Sequence, residues 1–180
     1  MSLTAFPNGI SNVSSNKAMV AGTGVTTGTG TVYRSGVVRN GDIVHTQILL
    51  DLTGCTSADS DLDVIGVEDT ALVCHIGQIT AERNGTIVGG TVTCLEAPLS
   101  LVDVDFYSAD LGTYVYESLI TGDATDTALV TRGGTWADGD VRPLTLLPAA
   151  GQYIYACNGA ADTPDIFTAG IFLIDLYGTV

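Results

Sequence analysis

Carboxylates crowd one short stretch of the sequence, CTSADSDLDVIGVED at residues 55–69. Five of them fall within eleven positions, at Asp59, Asp61, Asp63, Glu68 and Asp69. Alternating oxygen ligands followed by a glycine are typical of a calcium loop, in which ligands at positions 1, 3 and 5 precede a glycine at position 6 and a bidentate glutamate at position 12. The first question is therefore whether this stretch binds a metal.

The metal pattern fails at two of its defining positions. Counted from Asp59, the first three ligand positions fit, but Val64 replaces the glycine and Thr70 replaces the glutamate. Residues 62–67 also look like a strand, on which Asp61 and Asp63 would share one face. The stretch therefore predicts solvent-facing carboxylates at the entry of a strand, and we expect no metal site here.

Two further patterns fail on their context. The glycine-rich GTGVTTG at residues 22–28 lacks the preceding strand and following helix that a dinucleotide-binding loop needs. Cys74 and His75 are adjacent in a strand-like run, so their side chains point to opposite faces and cannot readily share a zinc ion. We expect no cofactor in this chain.

Catalytic patterns are equally weak. His45 and His75 lie in apolar runs, and the sequence has no GxSxG nucleophile motif, so a catalytic triad is unsupported. Asp103 and Asp105, two apart in LSLVDVDFYSA, could form the carboxylate pair of a glycosidase. The same alternation describes any half-exposed strand, and a single Trp is thin for a sugar cleft. A carbohydrate-binding or glycoside-active domain stays an alternative.

The elements that must position these residues are strands. Val, Ile and Thr supply 54 of the 180 residues, there is one Lys, and Gly occurs 22 times. This composition favours pleated sheet and many turns. Asn40-Gly41 and Asn84-Gly85 each separate two strand-like runs and predict hairpins, and Asp138-Gly139 predicts a turn.

About ten short strands predict an all-β fold: an antiparallel β-sandwich or a jelly roll or barrel. We expect one β domain over residues 31–180, preceded by an irregular N-terminal arm over residues 1–30. The run AGIFLIDLYG places Ile171, Leu173 and Tyr177 on one face of a strand and apolar residues on the other. Such a strand is central in a core or covered by a partner chain.

Charge and cysteine usage narrow the function. The formal net charge is −14 and the six basic residues are scattered along the sequence, so nucleic acid and anionic membrane surfaces are unfavourable partners. No apolar stretch approaches the length of a membrane span, and the N-terminus lacks the pattern of a signal peptide. The four cysteines form no CxxC pair and are expected to be buried, reduced thiols.

Several stretches together carry a resemblance: DVIG (63–66), IGQITAERNGTI (76–87), CLEAP (94–98), VDVDFYSADLGT (102–113) and TAGIFLIDLYG (168–178). The set resembles small structural proteins of tailed bacteriophages, encoded beside the major capsid protein, which usually act as head decoration or cement proteins. The resemblance implies a β-rich fold, no enzymatic activity, and a homo-oligomer, often a trimer, bound to the major capsid protein on the capsid exterior. It assigns no residue a chemical role.

The arm carries the one set of candidate binding residues. Leu3, Phe6 and Ile10 stand in an otherwise polar segment, at spacings of three and four. We expect these apolar side chains to dock onto a neighbouring subunit or the capsid shell, and the core strands to begin near Thr31. Another virion β-protein, such as a head–tail or fibre component, remains an alternative. The number of copies per virion would distinguish it from a decoration protein.

Overall fold

The computed structural model of the chain describes residues 18–122, 125–130 and 133–180. Of these described residues, 44% are in strands, which form antiparallel sheets, and 6% are helical. Two 3₁₀ turns cover Thr23–Val25 and Ile120–Gly122, and one short helix, α1, covers Ala81–Asn84. The strands are β1 (Val32–Asn40), β2 (Ile43–Asp51), β3 (Gly77–Gln78), β4 (Thr86–Leu99), β5 (Val104–Ala109), β6 (Thr127–Ala128), β7 (Val141–Pro143), β8 (Tyr153–Asn158) and β9 (Ala169–Thr179).

Two sheets pack face to face around one core. The larger sheet has the order β1-β2-β9-β4-β7 and the smaller has the order β3-β8-β5-β6. Phe106 of the smaller sheet and Phe172 of the larger meet edge to face at 5.2 Å, and the buried Trp136 packs against both rings. The all-β sandwich prediction is confirmed. The described strands form two separate sheets instead of one barrel, and a jelly-roll connection stays a prediction.

The hairpin predicted at Asn40-Gly41 is confirmed, with its loop one residue later. Asn40 is the last residue of β1 and pairs with Ile43, so the two-residue loop consists of Gly41 and Asp42. Gly41 supplies the positive φ, +64°, that this tight loop requires. The Asp138-Gly139 turn is also confirmed, because Asp140 N–H donates to the carbonyl of Ala137 across it.

The hairpin predicted at Asn84-Gly85 is wrong. These residues end α1, which begins after Thr80, whose hydroxyl accepts from the N–H of Arg83. The buried Asn84 side chain accepts from Thr80 N–H and donates to the Thr46 hydroxyl at 2.9 Å, so it connects the helix to β2. Capping and burial therefore outweigh the local turn preference of the Asn-Gly pair.

The two apolar strands β9 and β5 each have a neighbouring strand on both sides. β9 is the central strand of the larger sheet, which is one of the two placements predicted, and Phe172, Ile174 and Leu176 face the core. β5 is central in the smaller sheet and all its residues are buried. The prediction of a half-exposed β5 with solvent-facing aspartates is therefore wrong for Asp105, which is fully buried.

The domain begins before residue 31. Met19 and Val25 belong to the hydrophobic core, and Gly22 and Gly24 donate backbone hydrogen bonds to the carbonyls of His75 and Val73. Residues 18–30, which the sequence analysis assigned to the arm, are therefore packed against the domain, although the first strand does start at Val32. No helix among the described residues is both long and apolar enough to cross a membrane.

Candidate functional site

The acidic stretch at residues 59–69 lies beside the smaller sheet. Isolated bridges join Val64 to Cys157 and Asp63 to Leu119. Leu62 has a φ of +70°, which interrupts the extended chain, so the strand predicted over residues 62–67 does not form as one run. Asp63 is 7% exposed, so the prediction that these carboxylates all face solvent is wrong for this residue.

Burial is the main cause of the raised pKa of Asp63, and the charges of Asp59, Glu117 and Asp61 add to it. Glu117 comes from a different segment and occupies a backbone position with a φ of +60°. With Glu68 and Tyr116 it lines a cavity of about 360 Å³ beside the acidic stretch. Among the described residues, no group of three or more His, Cys, Asp or Glu side chains is arranged to hold a metal ion.

The residues weighed for zinc and thiol chemistry lie in the core. Burial raises the pKa of the Cys74 thiol to about 12, and its Sγ donates to the carbonyl of Leu72. His75 packs beside Tyr153 at 5.0 Å, and burial lowers the pKa of its ring. All four cysteines are buried free thiols, as the sequence predicts.

The glycine-rich stretch at residues 22–28 has a packing role. A Cβ placed on Gly24 would lie 2.3 Å from Cys74 Sγ, and one on Gly66 would lie at the same distance from the same atom. Both distances are far shorter than any real contact, so the two glycines allow their segments to close around the thiol.

Asp103 and Asp105 do not form a catalytic pair. Asp105 is fully buried in β5, opposite Cys157 of β8. Asp103 lies outside the strand, where its Oδ1 accepts from the N–H of Gly134 at 3.4 Å. The two carboxylates therefore have separate surroundings, and the glycosidase alternative gains no geometric support.

The outward face of the larger sheet carries a polar cluster that the sequence analysis did not identify. His45 Nε2 lies 2.7 Å from Asp175 Oδ1, and Gln47 donates to the same oxygen at 2.9 Å. The His45 ring stacks flat on Tyr177, with the ring centres 4.8 Å apart. These side chains come from β2 and β9, which are neighbours only in the folded sheet, so no local sequence pattern announces the cluster.

Exposed apolar side chains surround this cluster. Tyr177, Ile43 and Val38 are 43%, 50% and 43% exposed, and their strands are adjacent in the larger sheet. Val141 adds a fourth exposed apolar side chain on the far strand, β7. We name this surface, defined by Val38, Ile43, Tyr177 and Val141, the outer face. Contiguous exposed apolar patches mark protein-binding surfaces, and Val38, Ile43 and Tyr177 lie on three neighbouring strands.

Basic residues gather around β1, whereas the sequence analysis treated them as scattered. Arg34 and Arg39 are exposed on β1, and the Arg83 charge acts on the pKa of Tyr33, in the same strand, opposing the rise that burial causes. Among the described residues, no arginine lies within ion-pair distance of a carboxylate, and the contact of that length is the hydrogen bond between His45 and Asp175. The sequence did hold a signal, because residues 1–41 contain no Asp or Glu.

The predicted anchors Leu3, Phe6 and Ile10 lie outside the described residues. Comparisons of the chain with protein-family models, with curated proteins and with solved structures found no match. The structure offers two surfaces for function. One is the outer face, and the other is the edge of β1, the outermost strand of the larger sheet.

Proposed function

We propose that this chain is a non-enzymatic virion structural protein that binds the outside of a bacteriophage capsid and stabilises it, as a decoration or cement protein. The observation that carries the proposal is the outer face. The sandwich presents exposed Val38, Ile43 and Tyr177 on its larger sheet, where another protein can bury them. Complete burial of a fully exposed side chain of this kind contributes roughly 1.5–3 kcal/mol, and burial of the exposed half of each of these contributes about half as much.

The stretches that carry the resemblance to phage decoration proteins support the same proposal. Apart from DVIG (63–66), they fall on β3, α1, β4, β5 and β9, which contribute strands to both sheets. The resemblance therefore concerns mainly residues that build the sheets. It does not specify the surface residues that would contact a particular shell. The lattice of a capsid offers many equivalent sites, so even modest affinity per copy is strengthened when linked copies bind together.

The arm belongs to the proposal as a second attachment. Ser35 donates to the carbonyl of Met19 at 3.0 Å, so the polypeptide enters the domain beside β1. The 17 residues before Ala18 can span at most about 56–61 Å when extended. Leu3, Phe6 and Ile10 could therefore reach a neighbouring subunit. We propose that the protein binds the major capsid protein as a homotrimer whose arms dock on neighbours.

The test uses shells assembled from the major capsid protein of the bacteriophage to which the proposal assigns this chain. Wild-type protein, a variant lacking residues 2–17, and Ile43→Asp are added to shells, and bound copies are counted by gel densitometry. Leu146→Asp is the matched control, because Leu146 is 55% exposed, close to the 50% of Ile43, and lies outside the outer face.

We expect the wild type and Leu146→Asp to bind in hundreds of copies and the other two variants to bind at least tenfold more weakly. Light scattering should give a trimer in solution. If folded wild-type protein does not bind shells, the decoration function is wrong. If only a few copies bind, the head–tail or fibre alternative is favoured. Equal binding by Ile43→Asp would remove the outer face from the proposal.

A further inference from the structure

We propose that the free edge of β1 binds an extended acidic segment of a partner protein, which adds to the larger sheet as an additional strand. The inference goes beyond the proposed function, because it rests on the hydrogen-bonding groups and charge of this edge and holds for any partner with the right chemistry.

The register of the β1–β2 hairpin identifies the groups that are free. Asn40 and Ile43 close a two-residue loop, and such a closing pair exchanges both of its backbone hydrogen bonds. In an antiparallel ladder bonded and non-bonded pairs alternate. The N–H and C=O groups of Tyr33, Ser35, Val37 and Arg39 therefore point away from β2, towards the open side of the sheet.

β1 is the longest outermost strand among the described residues. β1 has nine residues, whereas the other outermost strands, β3, β6 and β7, have two, two and three. β7 also contains Pro143, which has no N–H to donate. Within the described part of the chain, no backbone group of another segment bonds to the free side of β1. A row of four donors and four acceptors is a template for strand addition.

Charge decides which strand fits. The edge carries exposed Arg34 and Arg39, and Arg83 lies close enough to act on Tyr33. The described residues up to Gly41 include no carboxylate, in a chain whose net charge is −14. The edge is thus a cationic strip on an otherwise anionic protein, and it attracts an acidic segment.

A second copy of β1 is a poor occupant. β1 contains no Asp or Glu, so a second copy of β1 would place no carboxylate opposite Arg34 or Arg39. Opposite charges on paired strands are stabilising, and pairing between two copies of β1 lacks them. The two arginines therefore favour a strand that carries carboxylates over a second copy.

The spacing of the arginines defines the pattern of the occupant. Arg34 and Arg39 are five residues apart and so project from opposite faces of β1. A bound strand that places one carboxylate opposite each arginine needs two acidic residues five positions apart, with β-branched residues between them. This spacing holds for parallel and antiparallel addition, since the rise per residue is nearly the same in both.

The test uses the full chain, labelled with ¹⁵N, and a synthetic peptide of ten residues in which valine and threonine alternate and glutamate occupies the third and eighth positions. A matched peptide has lysine at the same two positions. Binding is measured by fluorescence anisotropy, and amide exchange is followed residue by residue by NMR.

In the free protein the amides of Tyr33, Ser35, Val37 and Arg39 should exchange quickly, and those of the alternate residues of β1 slowly. The acidic peptide should slow the first set at least tenfold. Arg34→Gln combined with Arg39→Gln should weaken its binding about tenfold, as expected for two exposed charge pairs. Ala149→Glu combined with Ala150→Glu changes the net charge equally at exposed sites away from β1, and should change binding less than twofold.

Three results would overturn the inference: no slowing of the four amides at millimolar acidic peptide, equal binding of the lysine peptide, or an equal loss in the charge-matched control. Slow exchange of the four amides without peptide would show that the chain itself already covers the edge, which also contradicts the proposal. Capsids take no part in this experiment, so its failure leaves the decoration function standing, and failure to decorate shells leaves this inference standing.

Discussion

Replacing Met19 by alanine tests whether the domain truly begins before residue 31. Met19 is 3% exposed, and its Sδ accepts from the buried Asn84 amide at 3.9 Å. Its methyl group lies so close to Gly77 that a Cβ there would be 2.4 Å away. The side chain thus fills a gap between α1, β3 and β1. Its removal leaves a cavity that this helix and these two strands cannot easily close.

The expected cost follows from the size of the truncation. Shortening a buried methionine to alanine lowers the free energy of unfolding by about 2–5 kcal/mol. For a domain of this length each kcal/mol corresponds to roughly 2–4 °C in Tm, so we expect Met19→Ala to lower Tm by about 5–15 °C. Val20→Ala is the control, because Val20 is 73% exposed and its truncation should cost less than about 0.5 kcal/mol.

Urea and thermal unfolding, followed by near-ultraviolet circular dichroism, measure both variants. Deletion of residues 2–17 keeps Met19 and should leave Tm within a few degrees, whereas deletion of residues 2–20 should lower Tm at least as much as Met19→Ala. If the Met19→Ala protein is as stable as Val20→Ala, the reasoning is refuted and residues 18–30 belong to the arm.

Other predictions concern strain, charge and thiols. Glu117→Gly should raise the free energy of unfolding by about 1 kcal/mol in urea titrations, since only glycine adopts its φ of +60° without strain; a loss would contradict this. Burial and neighbouring carboxylates raise the pKa of Asp63, so stability should fall as the pH rises above ~4, and Asp63→Asn should flatten that fall; an unchanged slope would argue against it. Burial raises the pKa of Cys55 and Cys94 to about 11 and of Cys74 to about 12, so Ellman's reagent at pH 8 should react with them only after unfolding; rapid reaction of the native protein would count against this.

The sequence predicted what depends on composition and alternation. Valine, isoleucine and threonine content indicated an all-β fold. The doubly apolar run of residues 168–178 indicated a strand that is central in a core or covered by a partner chain, and β9 is central in its sheet. The hairpin that Asn40-Gly41 indicated does form, because the two runs that flank it pair with each other as β1 and β2. Each of these features is local, or follows from the number of apolar faces that a strand must bury.

Features that depend on long-range contacts were missed. Asn84 has the same local sequence signal as Asn40, but its burial against Thr46 turns the segment into a helix end. Asp105 alternates with apolar neighbours as an exposed residue would, yet both faces of β5 are covered. The His45–Asp175 cluster needs β2 and β9 side by side, and 130 positions separate the two residues.

The central place of β9 has a consequence for how the protein is made. β2 and β4 do not pair with each other, and β9 must lie between them before the larger sheet exists. Residues 52–168 separate β2 from β9, and at about 5–20 residues per second the ribosome needs roughly 6–23 s to add them. During that interval the edge of β2 that pairs with β9 in the folded protein is unpaired, so nascent chains can misassemble. Slower translation should lower the soluble yield, and a chain ending before Ala169 should accumulate as aggregate.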